Sequence, residues 1–328
     1  MHHNIIEITM NEIDAFKIGH AQNEKAATGC TVIISEKGAV TGVDVRGGSP
    51  GTRETDLLKS ENLVDQVHAI FLSGGSAYGL EVGTGIMHYL EERKIGFDVQ
   101  VAKVPIVPGA ILFDLAIGEV NIRPDAKMGY QACLNSEYDM RDHAQGNVGA
   151  GMGATVGKCL GPSYSMKSGV GTYAIQIGDL KIGAVIAVNS FGDIIDPSTN
   201  EILAGIFDRE QGVYLNTEKQ LLKQLESTTN RFSSNTSIGS ILTNAKASKA
   251  EMNKIASIAH DGMARTMRPS HTLVDGDTLF AMTSNQVDVD LNIVGMLAVE
   301  VVEQAIIRAV KQASSLFGQP SYQDINQK

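Results

Sequence analysis

Cysteine is scarce: Cys30, Cys133 and Cys159 are an odd number, far apart, with no CxxC pair. That excludes a disulfide framework and offers no zinc knuckle. Clusters of lysine and arginine are missing, and the formal net charge is -10, so the chain has no surface suited to nucleic-acid phosphates. No apolar run reaches membrane-spanning length. The first residues, MHHNIIEITMNEIDAF, lack an apolar core and carry acids early, unlike a secretory leader. Low-complexity tracts are absent as well, which excludes a disordered chain. What is left is a folded protein, expected in the cytoplasm, with no nucleic-acid or membrane partner. Its 328 residues suffice for one large domain or two ordinary ones.

Hydrophobic patterning fills in the elements. CTVIIS and AVTGVDVRGG are β-branched runs around EKGA and read as a hairpin. VHAIFLSGGSAYGL reads as a buried strand, a glycine turn and a helix running to about Lys94, with Ser73 or Ser76 as a cap. That turn lacks the Lys-Ser/Thr ending of a P-loop. It also lacks the last glycine of an esterase elbow, because Tyr78 stands there. Ser76 and Tyr78 are weak candidates for lining a substrate site. GNVGAGMGATVGK, residues 146–158, contains a G-x-G-x-x-A, but no strand precedes it and no acid follows at dinucleotide spacing. Close backbone approach is the better reading, with Gly151 and Gly153 as further weak lining candidates. GVGTYAIQIG and LKIGAVIAVNSFGDIID form an antiparallel pair, TEKQLLKQLEST a charged helical piece, and TNRFSSN the most linker-like stretch.

Beyond Thr236 the pattern tightens. TSIGSILTNA and DTLFAMTS are strands, and the last long segment, from Leu291, is a largely buried helix. Ser248 and Glu251 have capping-box spacing before an amphipathic helix. Met252, Ile255, Ala256, Ala259 and Met263 share one face of it and belong to the core. Strands on both sides of the linker, with helices outside, indicate a layered α/β sandwich.

The junction RFSSN/TSIGS is ordinary if a loop simply feeds a strand. A threonine hydroxyl needs a base to act as a nucleophile. An N-terminal threonine carries one, since an α-amine has a pKa of about 7.7–8.0. Thr236 can create that amine by attacking the carbonyl of Asn235, followed by hydrolysis of the ester.

VRGGSPGTRETDLL, LSGGSAYGL, PIVPGAILFDL, GAGMGATVGK, GAVIAVNSFGDI, NTSIGSILTNA and AHDGMARTMRPSHTLVDGDTLFAM resemble, in order, the L-aminopeptidase/D-esterase (DmpA-like) family. The threonine and the two aspartates lie nearest its nylon-oligomer endohydrolase branch. The resemblance covers all but about the first 25 residues and the tail. It implies an αββα sandwich of the DmpA/ornithine acetyltransferase type. It further implies a single intertwined domain over 1–328, self-cleaved into 1–235 and 236–328. By the same resemblance Asn235-Thr236 is the cleavage point and Thr236 the nucleophile. Lys158 bonds the hydroxyl, Asn189 donates to the oxyanion, and Asp275 and Asp277 orient the nucleophile and its amine. His260 and His271 suggest a serine-hydrolase triad with Asp275, but the family mechanism needs no histidine, and both read as structural. The implied activity is hydrolysis of amide bonds in peptide-like or ω-amino-acid oligomers, without cofactor or metal, in an oligomer of processed pairs. Two alternatives stay open: an acyltransferase of the ornithine acetyltransferase type, and a nucleotide-binding protein using the 146–157 loop.

Overall fold

The computed structural model of the chain describes residues 4–138, 144–223 and 235–326. Its main sheet begins with β1 (Ile5–Ile8), β2 (Lys17–Asn23), β3 (Thr28–Val45), β4 (Thr52–Arg53), β5 (Gln66–Ser73) and β6 (Gly109–Ile111). A separate short pair follows, β7 (Thr155–Val156) and β8 (Met166–Lys167). The sheet resumes with β9 (Val170–Ile177), β10 (Leu180–Ala187), β11 (Ile238–Ala245) and β12 (Thr278–Val287). Helices are α1 (Val82–Glu92), α2 (Ala126–Asn135), α3 (Thr217–Lys223), α4 (Lys249–Thr266) and α5 (Leu291–Lys311). The sheet order is β1-β9-β10-β11-β12-β3-β5-β6-β4, with β2 also on β3. The strand that begins just after Thr236 therefore lies inside the sheet, flanked by β10 and β12.

The expected hairpin around EKGA is one strand of 18 residues, β3. A register shift between Ile34 and Ala39 bends it instead of reversing it. Its first half pairs with β2 and β5, and its second half with β12. The strand thus passes from one layer to the other. Side-chain alternation then fills the space on both sides. Ile33, Ile70 and Leu72 face inward against Val185, Ala187, Phe280 and Met282. Val32, Ile34 and Phe71 face outward under α1 and α2, while Ile182, Ala184, Ile186 and Ala281 face outward under α4 and α5. The result is the four-layer αββα sandwich.

Position along β11 is tightly fixed. Ile238 and Leu242 point to the inner core and Ile241 to the α4/α5 layer, all fully buried. Each such burial contributes roughly 1.5–3 kcal/mol, and a one-residue slip would reverse all three. Thr236 is therefore held two residues before a strand that cannot shift.

The capping box of α4 forms as expected: Ser248 Oγ accepts from Glu251 N–H while Glu251 accepts from Ser248 N–H at 2.8 Å. Met252, Ile255, Ala256, Ala259 and Met263 are buried. The antiparallel β9/β10 pair is also present. Neither Ser73 nor Ser76 caps α1; Ser73 Oγ donates to the neighbouring Gly74 carbonyl, and Ser76 opens a 3-10 turn that precedes the helix. The linker-like run up to Ser234 lies outside the described residues. Among the described residues no helix is long and apolar enough to cross a membrane.

Candidate active site

Asn235 and Thr236 are buried, and their backbone extends the parallel β11/β12 ladder backward. Asn235 N–H donates to the Val274 carbonyl at 3.0 Å, and Gly276 N–H donates to the Asn235 carbonyl at 2.9 Å. The Thr236 hydroxyl donates to that same Asn235 carbonyl oxygen. The peptide bond before Thr236 is thus gripped between the 274–276 segment and the hydroxyl that follows it. Gly276 is required by this packing: a Cβ there would lie 2.6 Å from Thr236 Oγ1 and 2.7 Å from the Ser49 carbonyl.

Asn189, just after β10, collects the other side of the site. Its carbonyl accepts from Thr236 N–H and from Lys158 Nζ, both at 3.1 Å. Its side-chain Oδ1 accepts from Lys158 Nζ at 2.6 Å and from Thr155 N–H at 3.1 Å. Two donors on Oδ1 fix which way the amide faces. Nδ2 therefore points the other way, with one hydrogen on the Phe113 carbonyl at 3.0 Å. Lys158 accordingly reaches Asn189 and not the threonine hydroxyl that the family resemblance had led us to expect.

The acidic pair follows the same ladder. Asp277 Oδ1 accepts from Ser237 N–H at 2.8 Å, and its Oδ2 lies 2.8 Å from His271 Nδ1. Asp275 Oδ2 accepts from the Thr272 hydroxyl at 2.6 Å and from Thr272 N–H at 2.9 Å. Its buried Oδ1 has no hydrogen-bond partner among the described residues. The pair thus holds the strand start and the 271–277 loop, and neither carboxylate bonds Thr236 directly. The histidine that touches this pair meets Asp277 rather than Asp275. His260 stacks edge-on against His271 with ring centroids 4.8 Å apart and meets the Asp44 carbonyl at 3.0 Å.

Burial shifts these charges. Desolvation pushes Lys158 down to about 7, opposed by the carboxylates of Asp275, Asp114 and Asp277. Asp275 is pushed up to about 6, first by burial and then by repulsion from Asp277.

A mainly apolar cavity of about 330 Å³ opens beside Lys158, lined among others by Phe113, Asp114, Ile117, Gly153 and Pro162. Asp114 was missed from the sequence, where it is one acid in an apolar run. It is buried, accepts from the Thr28 hydroxyl and from Gly75 N–H at 2.7 Å each, and is pushed up to about 6 by desolvation. Gly153 also lines the cavity, and a Cβ there would lie 2.0 Å from the Ala27 carbonyl oxygen and 2.7 Å from Asp114 Cβ. The other weak lining candidates sit elsewhere. Gly151 is buried within the 146–157 loop, Ser76 N–H donates to the Leu112 carbonyl, and Tyr78 is exposed under the Arg123 guanidinium.

The 146–157 loop does not offer a phosphate cradle. The N–H groups of Gly146, Gly149, Ala150, Gly151, Met152 and Ala154 each donate within the protein. Those donors are not free to face a phosphate, which speaks against the nucleotide alternative.

Similarity to known proteins agrees with the architecture. A structure titled Burkholderia sp. beta-aminopeptidase matches with a TM-score of 0.69 at 15% identity, covering 96% of this chain and 90% of that one. The L-aminopeptidase D-Ala-esterase/amidase from Ochrobactrum anthropi, titled a variant of the Ntn hydrolase fold, matches with a TM-score of 0.65 at 17% identity, over 93% and 86%. The fold is therefore that of the N-terminal-nucleophile hydrolases. The chain belongs to peptidase family S58, whose model matches residues 9–323. An "uncharacterized aminopeptidase" of Mycobacterium bovis is 37% identical over 97% of both chains. A 6-aminohexanoate-oligomer endohydrolase of Kocuria sp. is 33% identical over 90% of this chain and 83% of its own length. This protein is a hydrolase of that family.

Proposed function

We propose that the protein is a self-processing amidohydrolase whose nucleophile is the Thr236 hydroxyl. The observation that carries this reading is the buried hydroxyl bonded to the carbonyl of the residue before it, with Gly276 N–H on the same oxygen. Attack of Oγ1 on the Asn235 carbonyl carbon forms an ester and breaks the C–N bond, leaving the Thr236 α-amine free. Water then cleaves the ester, giving an Asn235 carboxylate and restoring the hydroxyl. Gly276 N–H is placed to stabilise the negative oxygen during this step. Because β11 and β12 pair with β10 and β3, the two products stay interleaved through the sheet.

The freed amine serves as general base for later substrates. It shares the Asn189 carbonyl with Lys158 Nζ, and a neighbouring ammonium disfavours its protonated form. Asn189 Nδ2 keeps a second hydrogen for the oxyanion of an acyl-transfer intermediate. Asp277 and Asp275 hold the strand start and loop that position Thr236. The unpartnered Asp275 Oδ1 is the acceptor available to the new amine.

The substrate class is inferred from the lining of the cavity. An apolar wall takes a methylene or small side-chain segment, and Asp114 in the lining takes a cationic amine. This suits amides carrying a free amino group, whether peptide-like or ω-amino oligomers, in keeping with relatives named aminopeptidase and 6-aminohexanoate-oligomer endohydrolase. The test is to mix enzyme with an amino-acid p-nitroanilide, quench in acid and weigh the 236–328 fragment. An acyl adduct on that fragment supports the reading. Turnover that continues undiminished in Thr236→Ala would refute it.

A further inference from the structure

Lys167 is a fully buried lysine that the reaction above leaves unused. All three ammonium hydrogens go to main-chain oxygens: Gly151 at 3.0 Å, Ala154 at 3.1 Å, and Ser168. An ammonium has three donors and no acceptor, so this cage satisfies it completely. Burying a charge is expensive, and a methionine of similar length would fill the space without that penalty. The ammonium is the group that joins the three carbonyls, two of which also accept one main-chain N–H each: Gly151 from Ala154 at 3.2 Å and Ala154 from Ser168 at 3.0 Å.

What those carbonyls control lies next to the reaction. Lys167 is the direct ladder partner of Thr155 in the β7/β8 pair, and Ser168 N–H donates to Ala154 at 3.0 Å. Thr155 N–H is one of the two donors that fix the Asn189 amide, the other being Lys158. Ala154 and Thr155 follow Gly153, which lines the cavity. The Lys167 backbone is itself anchored, its N–H donating to the Pro320 carbonyl at 2.8 Å.

We propose that Lys167 is a positioning residue: its ammonium takes the place of a bound monovalent cation in a cage made by the carbonyls of Gly151, Ala154 and Ser168, and so holds Thr155 N–H on Asn189 and aims the oxyanion donor. This rests on Asn189 being that donor for a Thr236 nucleophile. Displacement of a reacting group by about 1 Å can cost about 10²-fold.

Lys167→Met keeps the volume and removes the cation. We expect folded Lys167→Met, judged by circular dichroism, to lose about 10- to 100-fold in kcat with little change in KM. In Lys167→Ala, ethylammonium added during refolding should restore kcat in a saturable way. Tetramethylammonium, which has the charge but no N–H, should not. A folded Lys167→Met with wild-type kcat overturns the proposal. If Lys167→Met does not fold, the refolded Lys167→Ala decides. Activity recovered only with ethylammonium supports the cage. Equal activity with either cation or neither overturns it, as does a failure to fold with both. Wild-type protein that neither processes nor hydrolyses amides would instead remove the underlying reading of Thr236.

Discussion

Gly276→Ala is a one-carbon perturbation aimed at the proposed nucleophile, the Thr236 hydroxyl. Gly276 does not adopt the left-handed backbone region, so alanine is permitted there and the effect is one of space alone. The added Cβ would lie 2.6 Å from Thr236 Oγ1, 2.7 Å from the Ser49 carbonyl oxygen and 3.1 Å from Pro50 Cα. Two of these are main-chain atoms that cannot swing aside, whereas the hydroxyl can rotate away from the Asn235 carbonyl. Overpacking of this kind costs about 1–3 kcal/mol. If the hydroxyl's orientation bears it, the barrier to self-cleavage rises by that amount, slowing processing about 5- to 160-fold. Gly276 N–H remains, so loss of that donor does not contribute. The assay follows the fraction of intact chain with time after refolding. Gly295→Ala is the control, because its Cβ would meet only the movable Ile258 side chain, at 3.1 Å and beyond. Processing of Gly276→Ala at the wild-type rate would refute the packing argument and with it the placement of the hydroxyl.

Asn189→Ala should lower kcat about 10²- to 10³-fold, as loss of one oxyanion donor does; steady-state kinetics on a p-nitroanilide checks it. Lys158 is pushed from 10.5 down to about 7 by burial, so the unfolded chain binds more protons between those values. Stability therefore rises with pH from about 7 towards 10.5. Urea midpoints should show that rise in wild type and a smaller one in Lys158→Met, which should also lose turnover. Asp114→Asn should raise KM about 10- to 150-fold for substrates with a free amine, the size of a charge-assisted hydrogen bond. It should leave their N-acetylated counterparts unchanged, as a paired measurement would show.

The sequence made some of this legible because periodicity and spacing are local. The α4 capping box, the buried face from Met252 to Met263 and the β9/β10 pair follow from short-range pattern. The family resemblance, and not pattern, brought Lys158, Asn189 and Asp277 together, since they meet only across the sheet. β3 was misread because EKGA looks like a turn, while pairing with β5 and β12 on its two halves carries the chain straight through a bend. Asp114 and Lys167 escaped notice for one reason. Nothing nearby in sequence marks a charge as buried; only the Thr28 hydroxyl and Gly75 N–H, and the three loop carbonyls, do so in space. Gly151 and Gly153 read as sites of close approach, but only the fold shows that Gly153 lies against the Ala27 carbonyl and Asp114.

The most direct test is intact-mass spectrometry of purified wild type beside Thr236→Ala. Two species matching residues 1–235 and 236–328 in wild type, and a whole chain in the variant, are the result the account predicts. A wild-type chain that stays whole while folded and still hydrolyses amides would contradict it, since the α-amine base would not exist.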